Sequence, residues 1–299
     1  MSATSTNSIL CQVPNALATL ANKHALDDLK LLFKTLELWN TPAPRVFLYC
    51  STDVLKHMPP YSGEVISKVT LDSYATYTRA QMERLPSKRG LQNLFHDFTQ
   101  EKCGLMKWAL ESLNEEDRLR GVLFCDADIF WLGPLPQIPL QATLGLSQHM
   151  IRKADEAKFG EYNAGFLWTN DVTMPAAWQK ACTTSRFFEQ AALEDLADAT
   201  PDTKLYCFPE QCNYGWWRIY QNADSSLSVR DWSQFGWSYS PTLDTNHSGI
   251  LVKEQPLLCV HTHWKTNDPI TNLFNGMLRA WLNKATHQHS KLKFIHSLL

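Results

Sequence analysis

Apolar and polar positions along the chain switch between two periods. From Ala25 to Trp39 the apolar residues Leu26, Leu29, Leu32, Phe33, Leu36 and Trp39 recur at helical spacing, and Pro42 and Pro44 follow. This predicts an amphipathic helix with a firm stop. Short apolar runs of strand length flank it: residues 9–14 (Ile-Leu-Cys-Gln-Val-Pro), Val46-Phe47-Leu48-Tyr49 and Lys68-Val69-Thr70-Leu71. Ser51-Thr52-Asp53 can cap a short helix after the second of them. Strand, helix, strand, helix, strand in that order predicts a mainly parallel sheet covered by helices. Residues 82–100 carry no steady period and read as a loop with helical pieces. Glu101 to Leu113 is a better helix, with Leu105, Trp108, Ala109 and Leu113 on one side.

That helix leads to Val122-Leu123-Phe124-Cys125, an apolar run entered from the charged stretch Glu115 to Arg120. Such a run reads as a strand buried on both faces. Asp126 and Asp128 come next. If the backbone stays extended, their shared parity turns both carboxylates to one side. There they repel each other unless a cation sits between them. A divalent metal site at a strand tip is the first chemical expectation. Further on, Thr143 to Ser147 reads as a strand, Arg152 to Glu161 as a polar loop, and Tyr162-Asn163-Ala164-Gly165-Phe166-Leu167-Trp168 as a strand with a small-residue waist. Trp178 to Ala199 has helical propensity, residues 221–249 are polar and loop-like, Leu257 to Trp264 is strand-like, and Asn272 to Lys284 is an amphipathic helix.

Composition narrows this picture. With 299 residues, 44% of them hydrophobic, the chain can bury a large core and is not a disordered protein. Twenty-eight Lys plus Arg against 30 Asp plus Glu leaves a net charge of -2, so no broad basic face for nucleic acid or anionic lipid is expected. Residues 1–8 are polar and no apolar run reaches membrane-spanning length, so neither a signal peptide nor an integral membrane segment is expected. The eight cysteines are scattered without a C-x-x-C pair, which suits reduced thiols and a soluble, cytoplasmic setting better than structural disulfides. Eleven tryptophans suit a core, and also a protein that stacks on sugar rings or bases.

Three landmarks in order carry a family resemblance: Leu123 to Leu135 (LFCDADIFWLGPL), Tyr162 to Leu167 (YNAGFL) and a late strand with His261 and His263. Together with Glu210-Gln211, they resemble the nucleotide-diphospho-sugar glycosyltransferases of the GT-A fold. The nearest pattern is that of the glycogenin-like and plant xylosyl- or arabinosyltransferase-like groups. The resemblance covers residues 8–265 and implies one GT-A domain over residues 1–299. Residues 1–150 would form its nucleotide-sugar-binding half, and residues 151–299 an acceptor-binding, metal-completing half. The implied reaction moves a hexose or pentose from a nucleotide-diphosphate sugar to a carbohydrate or other hydroxyl acceptor, with a lean toward retention. Glu210-Gln211 stands where these families often carry Asp-Gln, and Val260 to Lys265 only approximates their His-containing segment.

By this resemblance Asp128 ligates the metal and Asp126 reaches the ribose or the metal. A departing diphosphate needs its charge neutralised, which Mn²⁺ or Mg²⁺ can do from carboxylate oxygens. His261 and His263 share parity, and one of them can add an imidazole, which favours Mn²⁺. His261 is preferred because it follows the apolar stretch directly; a zinc site from Cys259, His261 and His263 is the lesser reading. Lys265 is expected on the diphosphate, and Lys107 or Lys102 at the basic position some relatives use. Asn163 is expected to bond sugar hydroxyls and Gly165 to let the sugar lie near the backbone. Glu210 and Gln211 are expected as the catalytic pair beneath the anomeric carbon, with Glu210 or Asp231 as base if the enzyme inverts. Trp216, Trp217, Trp232 and Trp237 are candidates for an acceptor-stacking wall. Two rival readings remain: a phosphatase or phosphotransferase of the haloacid-dehalogenase type, which also uses D-x-D after a buried strand, and a non-catalytic carbohydrate-binding relative.

Overall fold

In the strand Ala16–Ala21 every residue is buried. Leu17 and Ala21 feed one hydrophobic core, and Ala16, Ala18 and Leu20 feed another on the opposite face. The helix Leu26–Trp39 closes the first core with Leu29, Leu32, Phe33 and Leu36. The helix Leu94–Ser112 closes the second with Leu105, Met106, Ala109 and Leu110, aided by the helices Met174–Cys182 and Ala192–Ala199. The computed structural model describes residues 10–222, 232–240, 246–264, 269–286, 291–293 and 295.

The central sheet has seven strands in the order Leu205–Phe208, Leu144–Gln148, Tyr162–Thr169, Val122–Cys125, Ala16–Ala21, Arg45–Cys50 and Val65–Val69. Six run in one direction and Tyr162–Thr169 runs against both neighbours. The expected α/β class, a mainly parallel sheet with helices on both faces, is what the chain adopts. From Ala16–Ala21 the chain winds outward to one side, then crosses over to return as Val122–Cys125. Open α/β sheets bind ligands in the crevice at the carboxyl ends of the strands where the winding reverses. Asn22 follows one of these two strands and Asp126 the other. The antiparallel strand brings its first residues, Tyr162 to Gly165, to the same edge, where Asp126 N donates to Gly165 O at 2.9 Å.

A three-stranded sheet in the order Cys212–Gly215, Cys259–His261, Ile129–Trp131 adds the C-terminal part. Its antiparallel register sets His261 opposite Ile129, hence beside Asp128. A smaller sheet of Trp237–Tyr239, Ile250–Val252 and Gln255–Pro256 and the helix Pro269–Thr286 complete the described chain. No helix among the described residues is long and apolar enough to cross a membrane.

Three elements differ from the sequence reading. The first central strand is Ala16–Ala21, not residues 9–14, whose described part contributes Cys11–Gln12 to a marginal pair with Ile138–Pro139. Alanine is depleted in strands on propensity, and here burial on both faces overrides that. The polar segment Arg152 to Glu161 holds a helix, Lys153–Phe159, with no fully buried residue and so no apolar stripe to announce it. The expected helix 178–199 is broken between Cys182 and Ala192, and the break carries residues of the site.

Candidate active site

Asp126 to Ile129 form a turn closed by Ile129 N donating to Asp126 O at 3.1 Å, so the backbone is not extended there. The two carboxylates converge all the same. Asp126, Asp128 and His261 each offer one ligand atom, and the three atoms lie within 4.8 Å of one another. His261 Nε2 stands 3.1 Å from Asp128 Oδ1 and 3.9 Å from Asp126 Oδ2. His263 Nδ1 sits 2.5 Å from Asp128 Oδ2, outside that trio, and its charge partner Asp128 lifts its imidazole to about 9 against the opposing effect of burial. Burial pushes the Asp128 carboxyl up, but His261 and His263 outweigh it and hold the group well below its ordinary range. Asp126 goes the other way: burial, with the Asp128 charge, outweighs Lys102 and His261 and raises it.

A divalent cation fits this donor set. Two carboxylates and one imidazole match a borderline transition ion better than Mg²⁺, and Asp128 Oδ1 is buried without a hydrogen-bond partner among the described residues. The cluster opens into a cavity of about 660 Å³. Lys102, on the helix Leu94–Ser112, reaches it with Nζ 3.1 Å from Asp126 Oδ1, 2.9 Å from Glu189 Oε1 and 3.2 Å from the Ala164 carbonyl. Burial alone would depress this ammonium; Asp126 and Glu189 more than reverse that and raise it. Lys107, the other lysine considered on that helix, is exposed and faces Glu111 at 3.9 Å.

Gly165 lies at the floor. A Cβ there would fall 2.6 Å from Asp126 Oδ2 and 2.9 Å from Asn163 Oδ1, and closer still to His261 Cε1. The close approach that the missing side chain permits is that of the two metal-cluster residues. Gly165→Ala is therefore expected to displace both, weakening Mn²⁺ binding by at least about tenfold while overpacking destabilises the chain by about 1–3 kcal/mol. A Mn²⁺ titration paired with a denaturant melt reads both effects, and unchanged Mn²⁺ affinity would refute the account.

The other expected residues are dispersed. Glu210 pairs with Lys253 at 2.8 Å, and Gln211 Nε2 donates to Val252 O at 2.8 Å; neither lines the main cavity. Trp216 and Trp217 line it, and Trp237 is buried in the core. Lys265, Asp231 and the Trp232 side chain lie outside the described residues. None of the eight cysteines is joined in a disulfide.

In place of Glu210 and Gln211 the cavity receives an earlier Glu-Gln pair, Glu189 and Gln190, from the break between two helices. Glu189 is buried against Lys102, which keeps its carboxyl low in spite of burial. Gln190 Nε2 donates to Phe159 O at 2.8 Å, and its Oε1 lies 3.4 Å from Asn163 Nδ2. The signal was present as a second Glu-Gln dipeptide. Two further residues had no sequence signal: Asn213, whose Oδ1 is 3.0 Å from His261 Nδ1, and His149, which burial depresses to about 4 and whose Nε2 is 3.2 Å from Asn163 Nδ2.

No family model matches the chain, and no curated protein does. Among solved structures, the chain is similar to the galactosyltransferase LgtC in complex with donor and acceptor sugar analogs, at 14% identity and a TM-score of 0.46 over 85% of this chain and 87% of that one. It is also similar to the apo-form glycosyltransferase GlyE of Streptococcus pneumoniae TIGR4, at 12% identity and a TM-score of 0.47 over 90% of this chain and 63% of that one. Likeness of this degree is to the outline of the fold.

Proposed function

We propose that this chain is a metal-dependent glycosyltransferase of the GT-A type, moving a sugar from a nucleotide-diphosphate donor to a hydroxyl acceptor. The observation that carries this reading is the convergence of Asp126, Asp128 and His261 within 4.8 Å at the crevice where the sheet's winding reverses. A bound Mn²⁺ would supply charge neutralisation to the departing diphosphate. Residues 1–150 would hold the nucleotide, and residues 151–299 would complete the metal site and receive the acceptor.

The cavity's carboxylates also support a retaining course. Asp28, Asp126, Asp128 and Glu189 line it. Asp126 and Asp128 belong to the metal cluster, Glu189 is ion-paired with Lys102, and Asp28 lies close enough to His263 to help raise it. That leaves no uncommitted carboxylate among the described lining residues to deprotonate an acceptor, as an inverting enzyme requires. Gln190, with Glu189 behind it, is the amide we assign to the developing positive charge on the sugar.

A panel of nucleotide sugars with Mn²⁺, read by release of the nucleoside diphosphate, tests the reading. Slow hydrolysis of at least one donor, stopped by EDTA, is the expected result. Binding without turnover of any donor would instead make the chain a non-catalytic relative, and phosphate release from a monoester would favour the phosphatase reading. Between the histidines, His261→Ala is expected to raise the Mn²⁺ dissociation constant by about 100-fold or more, beyond what loss of an outer-sphere partner costs. His263→Ala should change it only a few-fold by the same reasoning. The opposite order in a Mn²⁺ titration would move the ligand assignment to His263.

A further inference from the structure

We propose that Asn213, held by Asn163, is a positioning residue that fixes His261 in the tautomer and orientation a metal ligand needs. The inference rests on the reading of Asp126, Asp128 and His261 as a metal site. It follows from the direction of each hydrogen bond, and that direction is anchored on the backbone.

The amide N–H of Gly165 can only donate, and it meets Asn163 at 3.0 Å, so the Asn163 atom there is the carbonyl oxygen Oδ1. The remaining Asn163 atom is the amino nitrogen, which lies 3.2 Å from His149 Nε2 and obliges that nitrogen to accept. His149 must then carry its proton on Nδ1, and Nδ1 lies 2.9 Å from the Gly160 carbonyl, which can only accept. Both backbone ends agree. Asn163 Oδ1 also lies 3.2 Å from the terminal amide of Asn213, so the Asn213 group facing it is the amino nitrogen, which donates to Ser147 Oγ at 3.0 Å as well. The carbonyl oxygen of Asn213 is thereby left facing His261 Nδ1 at 3.0 Å, and it can only accept. His261 holds its proton on Nδ1. In the neutral ring the lone pair is then on Nε2, which faces the carboxylates of Asp128 and Asp126. A lone pair aimed at two carboxylates is repulsive until a cation lies between them.

The backbone is shaped for this contact. Pairing of Cys212–Gly215 with Cys259–His261 shifts register between Cys212 and Tyr214, and Asn213 there has φ +88°. Bulges commonly re-aim a side chain beside an active site, and Asn tolerates positive φ better than most residues. Asn163 has a different role from the expected one. Its oxygen accepts from Gly165 and Asn213, and its amino group faces His149 and Gln190. With two acceptor and two donor positions engaged, it has none to spare for a sugar hydroxyl.

Mn²⁺ titration followed by electron paramagnetic resonance, without any nucleotide sugar, tests the proposal on wild type and Asn213→Ala. Removing the acceptor should raise the Mn²⁺ dissociation constant by about 10–100-fold, the usual consequence of losing the partner of a ligating histidine. Histidine nitrogen NMR on the metal-free wild type at alkaline pH gives a second readout independent of the variant's folding. His261, assigned by its loss in His261→Gln, should carry its proton on Nδ1. Wild type that fails to bind Mn²⁺ would remove the metal reading itself. Wild type that binds while Asn213→Ala binds equally well, or a His261 protonated on Nε2, would overturn this inference alone.

Discussion

Asp128→Asn is expected to reduce donor turnover by about 10³-fold, the equivalent of about 4 kcal/mol of lost charge stabilisation at the leaving diphosphate. The substitution keeps the size of the side chain and removes the one carboxylate that touches both histidines, His261 at 3.1 Å and His263 at 2.5 Å. Folding should be affected far less. Losing the ion pair with His263 destabilises the chain, and losing the repulsion between Asp126 and Asp128 offsets part of that, so the net change should stay within about 1–2 kcal/mol. Rates of nucleoside diphosphate release, a Mn²⁺ titration and a thermal melt on the same preparation separate the two effects. Near-wild-type turnover with Mn²⁺ would show that the carboxylate pair is not the metal site.

The carboxylate tip was legible because its strand is apolar on both faces, so the first charged residues past Cys125 mark where the sheet ends. The partner strand Ala16–Ala21 was not, since alternation of small residues between two cores leaves neither a polar face nor a β-branched run to read. His261 was legible as a residue type at the end of an apolar run, and its selection over His263 depends on the strand stopping there and pairing with Ile129. The Glu-Gln pair shows a different limit. Two such dipeptides occur, and local sequence gives no means to tell which faces the site. The choice is made by distant partners: Lys253 and Val252 draw Glu210 and Gln211 away, while Lys102, 87 positions before Glu189, draws it in. Asn213 is the extreme case, because its contact exists only through a bulge that periodicity cannot register.

Lys102→Met is expected to give the largest loss of stability of the substitutions considered, about 3–5 kcal/mol, because it leaves a buried carboxylate without its counter-charge. The side chains of Lys102 and Glu189 are each only 7% exposed, and the lysine also reaches Asp126 and the Ala164 carbonyl. Methionine fills much of the same volume, so packing changes little and the effect isolates charge. Glu189→Gln alone should cost less, since Lys102 keeps Asp126 as its partner. The double variant should recover most of what Lys102→Met loses, because the orphaned carboxylate is gone, and the cycle should return a coupling of about 2–3 kcal/mol. Additive single losses in denaturant melts would contradict this and reduce Lys102 to a packing residue. Recovery of stability without recovery of turnover would assign the pair a second role. Lys102 touches both Asp126, at the metal cluster, and Glu189, beside Gln190. The same ammonium that keeps two buried carboxylates compatible with folding therefore also ties the Asp126 side of the cavity to the Glu189-Gln190 side, and a variant that restores charge balance by deleting both charges cannot restore that tie.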